Sequence, residues 1–332
     1  SRGTAATSNI GTGANDVPTN ATLVNENLLI NGDFGVWQRG TSFTGNGYNS
    51  DRWSQVSNTP FDINRVAATA NDANTLNSRY VLQMTNITSG GVFTDLYQRI
   101  EGLQEFLGKT VTLSFRCYAP IASSTINVSA ITSIDGTTIS SKIADSDITI
   151  NPSWDDEHSI TFTVPEDVGT VAADGSFLQV IFNVDGLTNV YLANVKLEFG
   201  SVATTFSKQG SSIGAELALC QRYCWKPDSS SAYYIYGLGR WFNSTAGRVY
   251  FRMPATMRTM PVLEVIGALS DFGVESNGVI ITPTSIVLNS NIFGKDGGEV
   301  TFTVSSGGST TTPMAFINHN STLAGLLFTA EL

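Results

Sequence analysis

Two groupings of residues have the types and spacing for catalysis. Gly210-Ser211-Ser212-Ile213-Gly214 matches the Gly-x-Ser-x-Gly turn that presents a nucleophilic serine, and Asp271 and His319 follow in the order serine, acid, histidine. Such a turn joins a strand to a helix within an alternating strand and helix pattern, whereas the residues beyond Pro227 form short strands one after another. Ser211 or Ser212 therefore reads as a helix cap, and an esterase-like hydrolase at Ser212 is a minor alternative. Asp155-Asp156-Glu157-His158 could ligate a metal or supply the carboxylate pair of a glycan hydrolase. Adjacent strand residues face opposite ways, however, and after Asn151-Pro152-Ser153-Trp154 the cluster reads as a solvated turn. Two histidines in the whole chain exclude acid-base schemes that need several.

Binding chemistry is better supplied. Neutral sugars stack their apolar ring faces on Trp or Tyr while Asn, Gln, Asp or Arg bond the hydroxyls. The candidates for such contacts are Trp37, Arg39, Tyr48, Trp154, Tyr234 and Trp241, with core packing as the alternative for each aromatic. Trp53, set in Asp51-Arg52-Trp53, reads as core. Tyr233, Tyr234 and Tyr236 cannot all face inward from one strand, so at least one is exposed or at a subunit contact.

The elements that must position these groups are strands. Only 14% of the 332 residues are charged, against roughly 25% in an average soluble protein, and Ser, Thr, Asn and Gly carry the solvation instead. Short polar side chains suit turns and exposed strand faces, so the expected fold is all-β. A net charge of -10 with no run of Lys and Arg argues against a nucleic-acid partner. No segment approaches the roughly 18 consecutive apolar residues of a membrane span, and no membrane insertion is expected. Cys117, Cys220 and Cys224 are too few for a disulfide framework and read as buried thiols. Cys220 and Cys224 would share one helix face, a spacing that could suit a metal, but no histidine lies nearby.

In chain order, 1–27 is an extended tether with Ile10, Val17, Leu23 and Val24 as spaced apolar anchors, and Ser1 suggests a start inside a longer polypeptide. Residues 28–200 read as a jelly-roll β-sandwich, with a first strand at 28–30 and further strands at 80–84, 92–100, 110–118, 125–131, 158–164, 177–184 and 189–199. Asn31-Gly32 follows as a tight turn. Val111, Leu113, Phe115 and Cys117 line one face of their strand, and Thr112, Ser114, Arg116 and Tyr118 the other. Residues 201–227 form a linker and a docking helix over 213–225, with Ile213, Leu217, Cys220 and Cys224 on one stripe and Pro227 as the stop. Residues 228–332 read as a second, smaller β-sandwich, with strands at 233–238, 248–253, 261–267, 278–281, 285–289, 299–304, 314–318 and 323–332.

Several stretches together resemble bacteriophage tail-fibre and receptor-binding proteins with a carbohydrate-binding-module-like jelly roll. They are the leader from Gly3 to Asn15; Asn27-Leu28-Leu29-Ile30-Asn31-Gly32-Asp33-Phe34 with Trp37-Gln38-Arg39-Gly40; Tyr191-Leu192-Ala193-Asn194-Val195-Lys196-Leu197-Glu198-Phe199-Gly200 with Thr204-Thr205-Phe206; Glu216-Leu217-Ala218-Leu219-Cys220-Gln221-Arg222-Tyr223; and Met257-Arg258-Thr259-Met260-Pro261. The resemblance implies a non-enzymatic virion protein, a homotrimer joined to other tail or capsid proteins through its N-terminal region and displayed toward a bacterial surface glycan. It allows a structural spacer or head fibre without ligand binding as the alternative. It also implies no cofactor beyond a structural calcium held by Asp33 with Asn194, although Gly35 and Ala193 stand where such families carry acidic residues.

Overall fold

Between residues 110 and 118 every second side chain is apolar, so an extended chain there has one face to remove from water and one to leave in it. The computed structural model describes residues 10–11, 17–18, 26–69, 72, 76, 78–87, 90, 93–140, 142–172, 175–228, 231–319 and 324–332. In it Val111, Leu113, Phe115 and Cys117 are fully buried, while Arg116 and Tyr118 stay half-exposed. The chain divides into two compact units, Ser1–Glu216 together with Leu332, and Leu217–Glu331.

The first unit begins with a parallel pair, β1 (Ile10–Gly11) and β2 (Val17–Pro18). The expected anchors Leu23 and Val24 lie outside the described residues. There follow β3 (Ser42–Thr44), β4 (Gly47–Tyr48), β5 (Ser54–Ser57), β6 (Asp62–Ala67), β7 (Tyr80–Thr85), β8 (Thr94–Glu101), β9 (Thr110–Tyr118), β10 (Ser124–Ser133), β11 (Ala144–Ile150), β12 (Glu157–Thr163), β13 (Phe177–Asn183) and β14 (Asn189–Phe199). They form two six-stranded antiparallel sheets, β11-β10-β13-β8-β5-β4 and β12-β9-β14-β7-β6-β3. One apolar core, with Phe34, Trp53, Phe61, Leu82, Phe115, Phe182 and Leu197 all fully buried, lies between them. Each such side chain contributes roughly 1.5–3 kcal/mol by leaving water.

Residues 28–30, expected as a strand, are instead the approach to a turn. Their polar groups are satisfied individually: Leu28 N–H donates to the Leu197 carbonyl at 2.7 Å, and the Asn27 carbonyl oxygen of the side chain accepts from Leu29 and Leu197. Asn31 turns the chain with φ 59°, and its amide bonds Val36 and Asp51. The Asn31 backbone carbonyl accepts the Trp53 indole N–H at 3.0 Å, and its N–H goes to Glu216. Glu216 is fully buried and also takes the Gly210 N–H at 2.6 Å. Burial pushes its carboxyl up from the ordinary value, against those two N–H groups.

The helix α1 spans Ile213–Gln221, and Ser212 caps it by accepting the Ala215 N–H at 3.2 Å. It stops short of the expected 225. Cys224 and Trp225 form β15 (Cys224–Trp225), pairing with β24 (Gly325–Thr329), where Trp225 stacks on Phe328 at 5.3 Å. Pairing with β24 and the packing of that half-buried indole take the two residues out of helical register, so Cys220 and Cys224 share no helix face. All three cysteines are buried thiols.

In the second unit β16 (Ile235–Trp241), β17 (Ala246–Arg252), β18 (Val262–Ile266), β19 (Phe272–Ser276), β20 (Val279–Ile281), β21 (Ser285–Leu288), β22 (Gly297–Thr303) and β23 (Pro313–Asn318) complete the set. A seven-stranded sheet, β20-β19-β23-β16-β17-β22-β21, and a three-stranded sheet, β15-β24-β18, share one core. Phe316 lies nearly parallel to both Phe272 and Phe302, at 5.8 Å and 5.4 Å. The protein is thus all-β: a jelly-roll sandwich, a short helix and a smaller β-sandwich. No described helix is long and apolar enough to cross a membrane.

Candidate functional site

Strand parity sends Tyr118 of β9, Tyr191 of β14 and Val81 and Gln83 of β7 to the outer face of the second six-stranded sheet, away from the sandwich core. Register brings them together. Tyr191 pairs with Tyr118 on one side and with Gln83 on the other, and Val66 of β6 pairs with Val81. The loop before β12 adds Trp154, whose ring stacks on Tyr118 at 5.7 Å with 27° between planes, while Tyr191 meets Tyr118 edge-on at 5.5 Å. Trp154, Tyr118 and Tyr191 border a cavity of about 330 Å³ with Val66, Val81 and Asp72 in its wall, and Gln83 lies outside its lining. Val81, Ala193 and Leu76 close the wall behind it as a small buried cluster.

The polar groups around the cavity are fixed by one another. Gln83 donates its amide N–H to the Tyr191 hydroxyl at 2.9 Å, and Asp72 accepts from the Thr69 N–H and hydroxyl at 3.1 Å and 2.7 Å. Arg116, two residues before Tyr118 on the same face, donates from one guanidinium nitrogen to the carbonyls of Trp154 and Asp155 at 2.5 Å and 3.0 Å. A second nitrogen faces Glu157 at 3.7 Å. The loop that carries Trp154 is thereby held to β9. Flat aromatic faces beside a carboxylate and an amide are the complement of a sugar ring, apolar on its faces and hydroxylated at its edge.

Of the six glycan-binding candidates read from sequence, Trp154 lies in this cavity. Trp37 is in the core of the first unit, donating its indole N–H to the Phe34 carbonyl at 2.6 Å. Arg39 pairs with Asp51 at 3.6 Å and lies over the Tyr48 ring at 5.3 Å, and the Tyr48 hydroxyl donates to the Leu332 carbonyl. Tyr234 packs edge-on against Tyr236 at 5.5 Å, and Tyr233 is the exposed member of that trio. Trp241 is in the core of the second unit, its edge against Phe302.

Asp33 and Asn194 are engaged by groups other than a cation. The Lys208 ammonium pairs with the Asp33 carboxylate, and the Asn194 side chain accepts from Ser78 at 2.7 Å and donates to the Leu76 carbonyl at 2.7 Å. An ammonium already neutralises the one carboxylate, so this donor set does not fit calcium. No cluster of three or more His, Cys, Asp or Glu suited to a metal occurs among the described residues. Ser212 is the helix cap, and Asp271 accepts the Ala268 N–H at 2.9 Å to cap a short 3₁₀ turn.

Tyr118, Tyr191 and Arg116 were not among the expected site residues. The signal for two of them was present in the alternation of 110–118, which already put Arg116 and Tyr118 on the outward face. An aromatic at an outward position of a strand is the feature that marks Tyr118.

No protein-family model matches the chain, and no curated protein is similar to it in sequence. Among solved structures it is similar to the CBM22-2 xylan-binding domain from Paenibacillus barcinonensis Xyn10C, at 14% identity over 48% of this chain and 99% of that one, with a TM-score of 0.34. The enzymatically active domain of tailspike protein 4 from bacteriophage CBA120 matches at 14% identity over 52% of this chain and 21% of that one, with a TM-score of 0.31. A cyclase from Fischerella sp. TAU matches at 13% identity over 55% of this chain and all of that one, with a TM-score of 0.38.

Proposed function

We propose that the first unit is a non-catalytic glycan-binding module and that the Trp154 cavity is where a neutral sugar ring stacks. The observation that carries this reading is the assembly of Trp154, Tyr118 and Tyr191 around one cavity on a sheet face that the sandwich core does not use. Core packing explains Trp37 and Trp241; Trp154 and Tyr191 rest on the small Leu76, Val81 and Ala193 cluster, but together with Tyr118 they stay half-exposed around the cavity, with the Tyr191 hydroxyl fixed by Gln83.

The wider role follows the sequence resemblance. The module belongs to a bacteriophage tail fibre or receptor-binding subunit, a homotrimer in the virion that meets a bacterial surface glycan and joins other tail or capsid proteins through its N-terminal region. The test is a neutral-glycan array probed with the full chain and with Trp154→Ala. The wild-type chain gives hits that the variant loses, since removing a central aromatic anchor costs about 2 kcal/mol or more. A blank array with folded wild-type protein overturns glycan binding and leaves the structural spacer. Sedimentation of the full chain as a monomer overturns the trimer.

A further inference from the structure

The seven-stranded sheet of the second unit carries on its outer face a group of cations that its own carboxylates do not balance. Arg240 of β16 stands directly opposite Arg248 of β17, and Tyr250 and Arg252 follow at the next outward positions of β17. Like charges directly opposite on neighbouring strands repel. Glu299 of β22 meets both, at 4.0 Å from Arg240 and 3.2 Å from Arg248, so one carboxylate answers two guanidiniums. Arg252 has no carboxylate partner among the described residues. Arg240 keeps 70% of its side chain in water, Tyr250 is 62% exposed and Leu238, beside it on β16, is 74% exposed. Phe242 lies under the Arg248 guanidinium at 4.5 Å and holds it on the face.

We propose that this face binds an anionic polysaccharide, with Arg240, Arg248 and Arg252 receiving its carboxylate or sulfate groups and Tyr250 receiving a ring. A planar guanidinium matches either anion with two parallel hydrogen bonds. An exposed tyrosine between arginines offers a flat apolar surface that a simple counter-ion does not need and a sugar face does. The rest of the chain repels such a ligand, because its net charge is -10, so polyanion binding here has to be local rather than a bulk charge effect. This site is separate from the Trp154 cavity and does not depend on it.

The experiment is native affinity electrophoresis of the full chain at low salt through gels containing polygalacturonate, dextran sulfate, neutral dextran or poly-L-glutamate. Retardation by polygalacturonate identifies carboxylates as the ligand groups, and retardation by dextran sulfate identifies sulfates; either supports the proposal. Arg240→Gln combined with Arg252→Gln weakens that binding on the order of tenfold through loss of two charge-assisted contacts. Arg252→Gln alone, which breaks no ion pair, weakens it in the same direction, and Tyr250→Ala weakens it with the chain still folded. Trp154→Ala leaves it unchanged. The proposal is overturned if neither polyanionic sugar retards the wild-type chain, if the arginine variants bind as well as wild type, or if Trp154→Ala abolishes binding. It is equally overturned if poly-L-glutamate binds as tightly as the sugars and Tyr250→Ala makes no difference, the result expected of an acidic-peptide surface. Self-association that the arginine variants abolish, with no sugar retardation, would assign the face to a second copy of the chain.

Discussion

Gly32 accepts the Val195 N–H on its carbonyl at 2.8 Å, and the Val195 carbonyl in turn sits where a side chain on Gly32 would have to be, 2.0 Å from an ideal β-carbon. The Asn-Gly pair therefore divides its work: Asn31 adopts the left-handed conformation, and Gly32 permits the close backbone approach to β14. Because the obstacle is backbone, Gly32→Ala cannot be relieved by a rotamer change. It is expected to destabilise the first unit at or above the upper end of the roughly 1–3 kcal/mol typical of overpacking. Urea unfolding measures this, and a wild-type midpoint in the variant would show that β14 can shift freely.

Arg116 acts through Trp154 rather than on a ligand. Its bonds to the Trp154 and Asp155 carbonyls tie the loop to β9, so Arg116→Gln is expected to lower glycan affinity by about 1–2 kcal/mol while the fold persists. The near-ultraviolet circular dichroism of the Tyr118 and Trp154 pair should fall with it. Arg116→Lys restores part of both signals, because it keeps the charge and loses the fork. Unchanged aromatic dichroism in Arg116→Gln would mean that the loop is held by other contacts.

The sheets were legible because their signal is local. Alternation in 110–118 and 157–163 and the apolar-rich run in 177–182, interrupted by Gln179, each declare a strand without reference to the rest of the chain. The strand Ala144–Ile150 was not legible, since Asp145 and Asp147 sit at its outward positions and carboxylates disfavour strands on average. They are tolerated because β11 is an edge strand with its outward side chains in water. The site was harder to read for a different reason. Tyr118 and Tyr191 become neighbours only through the β9–β14 register, and Trp154 reaches them from a distant loop, by stacking on Tyr118 and through the Arg116 bond to its carbonyl, so no single stretch contains the cavity. Trp37 and Trp241 have the same composition signal as Trp154 and are separated from it by burial alone.

His158 sets an acid limit on the first unit. Its ring packs on Phe115 at 5.5 Å, and its Nε2 is buried without a hydrogen-bond partner among the described residues. Burial holds its pKa below the ordinary histidine value, with Asp156 opposing that shift and Arg116 adding to it. The unfolded chain, at the ordinary value of about 6.5, then binds a proton more readily than the folded one. The contribution is present above that pH and is lost as pH falls through it toward the lowered folded value. Urea midpoints should decline as pH falls below about 6.5, and His158→Leu should flatten that decline. An equally steep decline in the variant would assign the acid sensitivity to the carboxylates.

Lys196 and Glu198 form an ion pair at 3.4 Å with both side chains fully buried, covered by the segment that follows β14. The Lys196 ammonium donates to the Thr204 hydroxyl at 2.7 Å and the Thr205 carbonyl at 2.9 Å, and Glu198 accepts the Thr204 N–H and hydroxyl at 2.8 Å and 2.6 Å. Each charge is thus neutralised by the other and bonded to Thr204, which pins residues 204–205 onto the sheet. Removing one partner leaves a buried charge alone, and Glu198→Leu or Lys196→Met should each cost about 3–5 kcal/mol. The double variant leaves no orphaned charge, and its cost should fall well short of the sum, with a coupling of about 1–3 kcal/mol in a double-mutant cycle. Strict additivity in that cycle would mean that the two side chains are solvated separately and that the 204–205 segment is held to β14 by other contacts.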